Sequence, residues 1–169
     1  MNQTQTRTIR LDTTNPNITL VSPTNNTYTN NPNVNFTING TDNLGIKNLS
    51  LNVRNSSGFV NTTDFTNTNG NILTDLRSFV LNLIDGVYTW WANIFDWAGN
   101  SFTSLQNNTL TVDTINGTIQ FVTPTEANNS YLNRNNTLIN ITASDTNLAN
   151  ITIYLINSTF LILGSSSIP

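Results

Sequence analysis

The chain has no cysteine and no histidine, and these two absences remove most nucleophilic chemistry at once. Thiolate attack needs a Cys, and the common nucleophile-base relays need an imidazole. With no disulfide available, stability outside the cell must come from a packed core and from covalent glycans. Charge is scarce too: Lys+Arg number 6 and Asp+Glu 9, a net charge of −3 with only 9% of residues charged. The basic residues Arg7, Arg10, Lys47, Arg54, Arg77 and Arg134 are scattered, so no patch neutralises phosphates and nucleic acid is not an expected partner. No run approaches the roughly 20 apolar residues of a membrane span, and MNQTQTRTIR lacks the apolar stretch of a signal peptide. The expectation is a processed N-terminus, with any anchor outside this sequence. No segment shows apolar residues at i, i+3, i+4 and i+7 with helix start signals, so no helix is expected.

What the chain has in excess is asparagine, about a fifth of its residues, and threonine, about a sixth. An AT-rich genome would explain the asparagine, but it would also supply lysine, and Lys47 is the single lysine. Selection for an uncharged polar surface explains both facts. About fifteen Asn-X-Ser/Thr acceptor triplets result, where chance at this composition would give roughly eight to ten. They start at Asn2, Asn17, Asn25, Asn35, Asn39, Asn48, Asn55, Asn61, Asn107, Asn116, Asn128, Asn135, Asn140, Asn150 and Asn157. A chain this rich in acceptors is expected outside the cytoplasm, at the cell surface, with glycans covalently attached.

Hydrophobic residues still make up 37% of the 169, enough for a core. Their spacing is that of strands. In NVNFTINGTDN, residues 33 to 43, Val34, Phe36 and Ile38 alternate with Asn35, Thr37 and Asn39, so the apolar set forms one face and both acceptors point the other way. Strands are expected at Asn17 to Val21, Val34 to Asn39, Lys47 to Val53, weakly near Phe59, Ser78 to Leu83, Tyr88 to Phe95 and Thr109 to Val112. The same alternation turns Leu49, Leu51, Val53, Phe79, Leu81, Leu83, Tyr88, Trp90, Ala92, Ile94, Leu110 and Val112 inward and Trp91 outward. Seven short strands parted by Gly, Asn, Asp and Pro clusters fit a Greek-key sandwich.

The sequence also repeats itself. RLDTTNPNITLVSPT at 10 to 24 returns as TVDTINGTIQFVTPT at 111 to 125, and VNFTINGTDNLGIKNLSL at 34 to 51 returns as TLINITASDTNLANITIY at 137 to 154. The period of about 100 residues is that of one sandwich. The second copy reaches Ile139, Ile141, Ile151, Ile153 and Leu155 but has no counterpart of DGVYTWWANIFDWAGN or of the closing strand. Residues 5 to 14, QTRTIRLDTT, match that closing strand instead. Three segments are therefore expected: 1–13, a closing or donor strand belonging to a preceding or neighbouring domain; 14–114, one whole sandwich; and 115–169, part of a second.

Carboxylates are the remaining source of site chemistry. Asp42, Asp64, Asp75, Asp85, Asp96, Asp113, Glu126 and Asp145 look solitary and placed in turns, which argues against a paired-carboxylate enzyme, and no catalytic residue is expected. A Lys-Asn crosslink would have to use Lys47, whose parity with Leu49 and Leu51 places it on the inner face at a strand edge. Calcium is the one candidate ligand: Asp42, Asp96 and Asn100 would meet at one end of the sandwich, near Asp12 or Asp113, with the hard oxygen donors that Ca²⁺ takes. Local turn hydrogen bonding already accounts for Asp and Asn at such positions. No other cofactor is expected.

Asp85-Gly86-Val87-Tyr88 resembles the tyrosine corner of Greek-key sandwiches. Asp96-Trp97-Ala98-Gly99-Asn100 resembles the D-x-A-G-N turn of Ig-like tandem repeats in prokaryotic, chiefly archaeal, cell-surface proteins. Val112-Asp113-Thr114, echoed by Leu11-Asp12-Thr13, is similar to their linker, and Pro23, Pro124 and Asp42-Asn43-Leu44-Gly45-Ile46 fit the same pattern. The resemblance spans Asp12 to Thr114 and the first half of a repeat after it. It implies an all-β chain of tandem immunoglobulin-like Greek-key β-sandwiches, one complete and one partial, in an extracellular glycoprotein of an S-layer, adhesin, stalk or filament. The expected role is a structural subunit or repeat that joins other copies or neighbouring repeats head to tail, with Ile9 and Leu11 of the N-terminal strand donated to an open sandwich. The alternative is an adhesin or binding module using Trp91 and the Asn-rich loops.

Overall fold

A computed structural model describes residues 4–157 and, for the backbone, 162–168. The Asn2 triplet lies outside the described residues. About half of the chain is strand, and the described residues contain no helix. The chain divides into two units, Met1–Thr114 and Ile115–Pro169.

In the first unit the amide-rich stretch becomes β3 (Asn33–Thr41), the centre of a three-stranded antiparallel sheet between β1 (Asn17–Ser22) and β6 (Thr74–Asn82). The second sheet runs β2 (Thr27–Thr29), β9 (Asn108–Val112), β7 (Gly86–Asp96), β4 (Ile46–Asn55), β5 (Gly58–Thr66), with β8 (Ser101–Thr103) paired to β7. Every pairing is antiparallel except β2 with β9.

The two sheets share one core, which makes the unit a β-sandwich. Ile18, Val34, Phe36 and Ile38 come from the first sheet, and Leu49, Leu51, Val53, Tyr88, Trp90, Ala92, Ile94, Leu110 and Val112 from the second. Phe36 meets Trp90 edge to face at 5.2 Å between ring centroids, a geometry aromatic rings favour beyond their buried area. Phe79 and Leu81 are only partly buried against this core, while Leu83 is fully buried. Trp91, expected outward, is partly buried.

Two strands escape the alternation rule. β2 is three polar-flanked residues and β8 is Ser-Phe-Thr, both too short to show a period. β5, expected only weakly near Phe59, is a full strand of 9 residues, and β6 begins four residues before the expected Ser78.

The second unit pairs β10 (Thr118–Phe121) with β11 (Ile141–Ser144), and β12 (Ile151–Ile156) with β13 (Ile162–Ile168), which was not foreseen from the sequence. Thr118 faces Ser144 as Asn17 faces Thr41 in the first unit. Both units also carry a left-handed asparagine, Asn26 and Asn129, a conformation Asn tolerates better than most residues. None of residues 115–157 is fully buried. Ile119, Phe121, Ile141, Ile153 and Tyr154 line an open groove of about 260 Å³.

Candidate functional site

The strand parity that builds the core continues past its end. On β3 the inward series Phe36, Ile38, Gly40 next reaches Asp42, and on β7 the inward series Trp90, Ala92, Ile94 reaches Asp96. Both strands run to the same end of the sandwich, so two acids arrive beneath the same turns. Asp12, from the segment before β1, completes a group in which one carboxylate oxygen from each acid lies within 4.8 Å of the other two. The acids are therefore not all solitary, and not all in turns: Asp64 sits on β5, bonded by Ser50 Oγ at 2.5 Å, and Asp75 is buried on β6 between Asn67 Nδ2 and the Arg77 guanidinium.

Each carboxylate of the cluster already organises backbone. Asp96 Oδ1 accepts the amides of Gly99 (2.7 Å) and Asn100 (2.8 Å). Asp42 Oδ2 accepts those of Leu44 (2.9 Å) and Gly45 (2.6 Å). Asp12 Oδ1 accepts the Thr14 amide. Gly99 has φ +97, which L side chains rarely adopt, and a Cβ on Gly45 would lie 2.2 Å from the Gly70 carbonyl oxygen. Glycine is required at both positions for the turns to close over the acids.

Asn100 differs from its expected role. Its side chain presents Nδ2, which donates to Asp96 Oδ2 at 2.7 Å and points at the carbonyls of Asp12 (3.3 Å) and Thr14 (3.4 Å). It is thus a donor that ties the N-terminal segment to the β7–β8 turn. The third acidic position belongs to Asp12, for which strand parity gave no signal because it lies in no strand.

The donor set suits a hard cation. Oxygens that bind Ca²⁺ at 2.3–2.6 Å sit at most about 5 Å apart across the ion, which the cluster satisfies. Asp42 Oδ1 is buried with no hydrogen-bond partner, and among the described residues none of the three acids forms an ion pair. Arg10, at the rim, donates to Asn71 instead. Asp113, the other acid expected near a junction, belongs to the opposite end, where its amide bonds the Thr29 carbonyl.

Lys47 is not on the inner face. A bulge between Ile46 and Asn48 opposite β7 gives the inner place to Ile46, fully buried, and turns Lys47 out over the Trp97 ring at 5.7 Å. A core crosslink through Lys47 is therefore ruled out by geometry.

The tyrosine expected to form a corner does so: Tyr88 Oη donates to the Ile84 carbonyl at 2.8 Å. Burial raises the pKa of this hydroxyl, the hydrogen bond to Ile84 opposes that, and Asp85 adds to the rise.

The acceptor asparagines fall into two kinds. Asn48 and Asn140 use Nδ2 to bond Thr66 Oγ1 and the Thr123 carbonyl, and Asn25, Asn55 and Asn61 accept bonds through Oδ1. Asn35 and Asn39 lie on the outer face of β3, and no hydrogen bond engages either side chain among the described residues. Asn17, Asn107, Asn116, Asn128, Asn135 and Asn150 are exposed, and Asn157 is partly buried. Ile9 and Leu11 are 91% and 83% exposed in a segment that forms no strand.

No family model matches the chain and no curated protein matches it. Among solved structures, a crystal structure of an engineered protein matches at 16% identity and a TM-score of 0.39, over 58% of this chain and 20% of that one. No helix of the described residues is long and apolar enough to cross a membrane.

Proposed function

We propose that the chain is a structural repeat of an extracellular, glycosylated surface filament or surface layer, built from tandem immunoglobulin-like sandwiches. One observation carries this: both linkers of the first unit are fixed, and at opposite ends. The incoming segment is held by Asn100 through the Asp12 and Thr14 carbonyls. The outgoing one is held where Asp85 Oδ1 accepts both the amide and the hydroxyl of Thr114 at 2.9 Å. Between them runs β7, 11 residues or about 36 Å, so tension on the chain is carried along strands rather than peeling a sheet edge. The order of the two sheets, β1-β3-β6 and β9-β7-β4-β5, supports the immunoglobulin-like assignment, as does the tyrosine corner. A cation held by Asp12, Asp42 and Asp96 would stiffen the incoming junction further.

The strand order also limits how copies join. β9 lies beside β7, not beside β4, so residues 5–14, which resemble β9, cannot pair directly with β12. Completion of the second unit needs a β7-like strand as well as the donated one. The test is electron microscopy and light scattering on the full chain and on a variant lacking residues 1–12. The reading expects end-to-end association that the deletion abolishes while the first unit stays folded. Filaments from the truncated chain would refute strand donation, and a dispersed, unglycosylated monomer from a glycosylating host would refute the structural reading.

A further inference from the structure

The outer face of the three-stranded sheet is polar on β3, and on β1 apart from Val21, but not on β6. Leu76 and Val80 there are 63% and 66% exposed, on an edge strand whose only strand partner among the described residues is β3. Exposed apolar side chains on such an edge invite pairing with another chain. Their register is specific: Val80 faces Asn35 and Leu76 faces Asn39. Between these pairs Thr37 and Ser78 share a hydrogen bond at 2.9 Å, and beyond them Asn82 Nδ2 donates to Asn33 Oδ1 at 2.9 Å, so the paired side chains share one face. Directly opposed Cβ atoms in an antiparallel pair lie about 4.5–5.5 Å apart. Each apolar side chain of the strip therefore has beside it an acceptor asparagine whose amide is unengaged.

We propose that glycans on Asn35 and Asn39 lie across β6 and cover Leu76 and Val80, the C–H face of each first sugar packing on the neighbouring side chain, and that this shield keeps the β6 edge from pairing with other copies. The proposal rests on the extracellular, glycosylated reading above. The attachment uses a lipid-phosphate-linked oligosaccharide as co-reactant. Asn Nδ2 bonds to the sugar C1 and loses one proton, while the C1–O bond to the lipid-linked phosphate breaks and that phosphate leaves with the electron pair. Four residues of strand separate the two acceptors by about 13 Å, enough for two chains of sugar side by side.

The experiment is peptide mapping by mass spectrometry of the full chain from a host with an oligosaccharyltransferase, followed by light scattering of variants. Occupancy at Asn35 and Asn39 is expected. Occupancy elsewhere with these two bare overturns the proposal alone, and a chain bare at every acceptor overturns the glycoprotein reading with it. Asn35→Gln with Asn39→Gln should raise self-association several-fold, Asn107→Gln should not, and adding Leu76→Ser and Val80→Ser should reverse the rise. Thr37→Val with Thr41→Val, which removes the acceptor hydroxyls but leaves both amides, should act like the asparagine pair. Unchanged association in both sets overturns the shield. So does a fall in association when Leu76→Ser and Val80→Ser are made in the glycosylated chain, since the strip would then be a contact between copies.

Discussion

Ile18 and Ile119 hold the same place in the repeated sequence, yet Ile18 is 2% exposed and Ile119 59%. The difference lies in what covers them. In the first unit β7 and β9 supply Tyr88, Trp90, Ala92, Ile94, Leu110 and Val112 as the opposing half of the core. In the second unit β12 pairs only with β13 among the described residues, and the same kind of apolar face borders an open groove. A strand sequence fixes which side chains lie together on a face. Whether that face is buried depends on strands that arrive later in the chain, or from elsewhere.

The largest effect that separates the units is loss of core volume. Phe36→Ala should destabilise the first unit by about 3–5 kcal/mol, because its ring fills a site against Trp90 that cannot collapse. The counterpart Ile139→Ala should cost less than about 1 kcal/mol, since little apolar area is withdrawn from water there. Urea denaturation followed by tryptophan emission reads the first, and exchange protection of β10 and β11 reads the second. Equal costs would mean that the second unit has its own closed core.

Much of this contrast could be read before any coordinates. The alternation in residues 33–39 and 88–94 identified β3 and β7, and residues 115–157, where none is fully buried, contain no counterpart of DGVYTWW. What escaped did so for physical reasons. Three-residue strands such as β2 and β8 are held by their neighbours' open hydrogen bonds and carry no periodic signal of their own. The bulge at Ile46–Asn48 inserts a residue into the ladder, which reverses parity and sends Lys47 outward. The acid cluster was half legible: extending the inward series of β3 and β7 by two residues reaches Asp42 and Asp96. Asp12, and the turn of Asn100 to present its nitrogen, depend on where a segment without secondary structure comes to rest.

A second test concerns the turns. Asp96→Ala leaves the amides of Gly99 and Asn100 without the acceptor that a buried carboxylate gives them and takes from Asn100 Nδ2 its nearest partner, at a cost of about 2–3 kcal/mol. Asp145→Ala removes an acceptor of the Asn147 amide in an exposed turn, and about 0.5–1 kcal/mol is expected. If Asp145→Ala proves as costly as Asp96→Ala, the second unit's turn is buried by something the chain alone does not supply.

A cation held by Asp12, Asp42 and Asp96 would add a third, smaller increment, again confined to the first unit. At about ten times its dissociation constant a ligand stabilises the native state by roughly 1.4 kcal/mol. Millimolar Ca²⁺ should therefore raise the melting temperature of the first unit by a few degrees, chelation should reverse it, and Asp12→Asn should abolish it. A shift that survives Asp12→Asn would place the ion elsewhere.

The smallest effect comes from the tyrosine corner, which the described part of the second unit does not reproduce. Tyr88→Phe removes the hydrogen bond to the Ile84 carbonyl, at a cost of about 1 kcal/mol near neutral pH. Its pH dependence has a definite sign. Because burial raises the pKa of this hydroxyl in the folded state, folding disfavours the phenolate. The native state holds the proton more tightly than the unfolded chain, whose tyrosine ionises near pH 10. The contribution is therefore fully present below about pH 10 and is lost as pH rises through and beyond that value. The Tyr88 contribution to the stability of the first unit should be constant between pH 5 and 9 and decline above about pH 10. In Tyr88→Phe the decline should be shallower, so that the two proteins converge in strong alkali. If instead the difference between them is the same at pH 8 and pH 11, the hydroxyl ionises alike in both states, and the corner holds the end of β7 by its hydrogen bond alone.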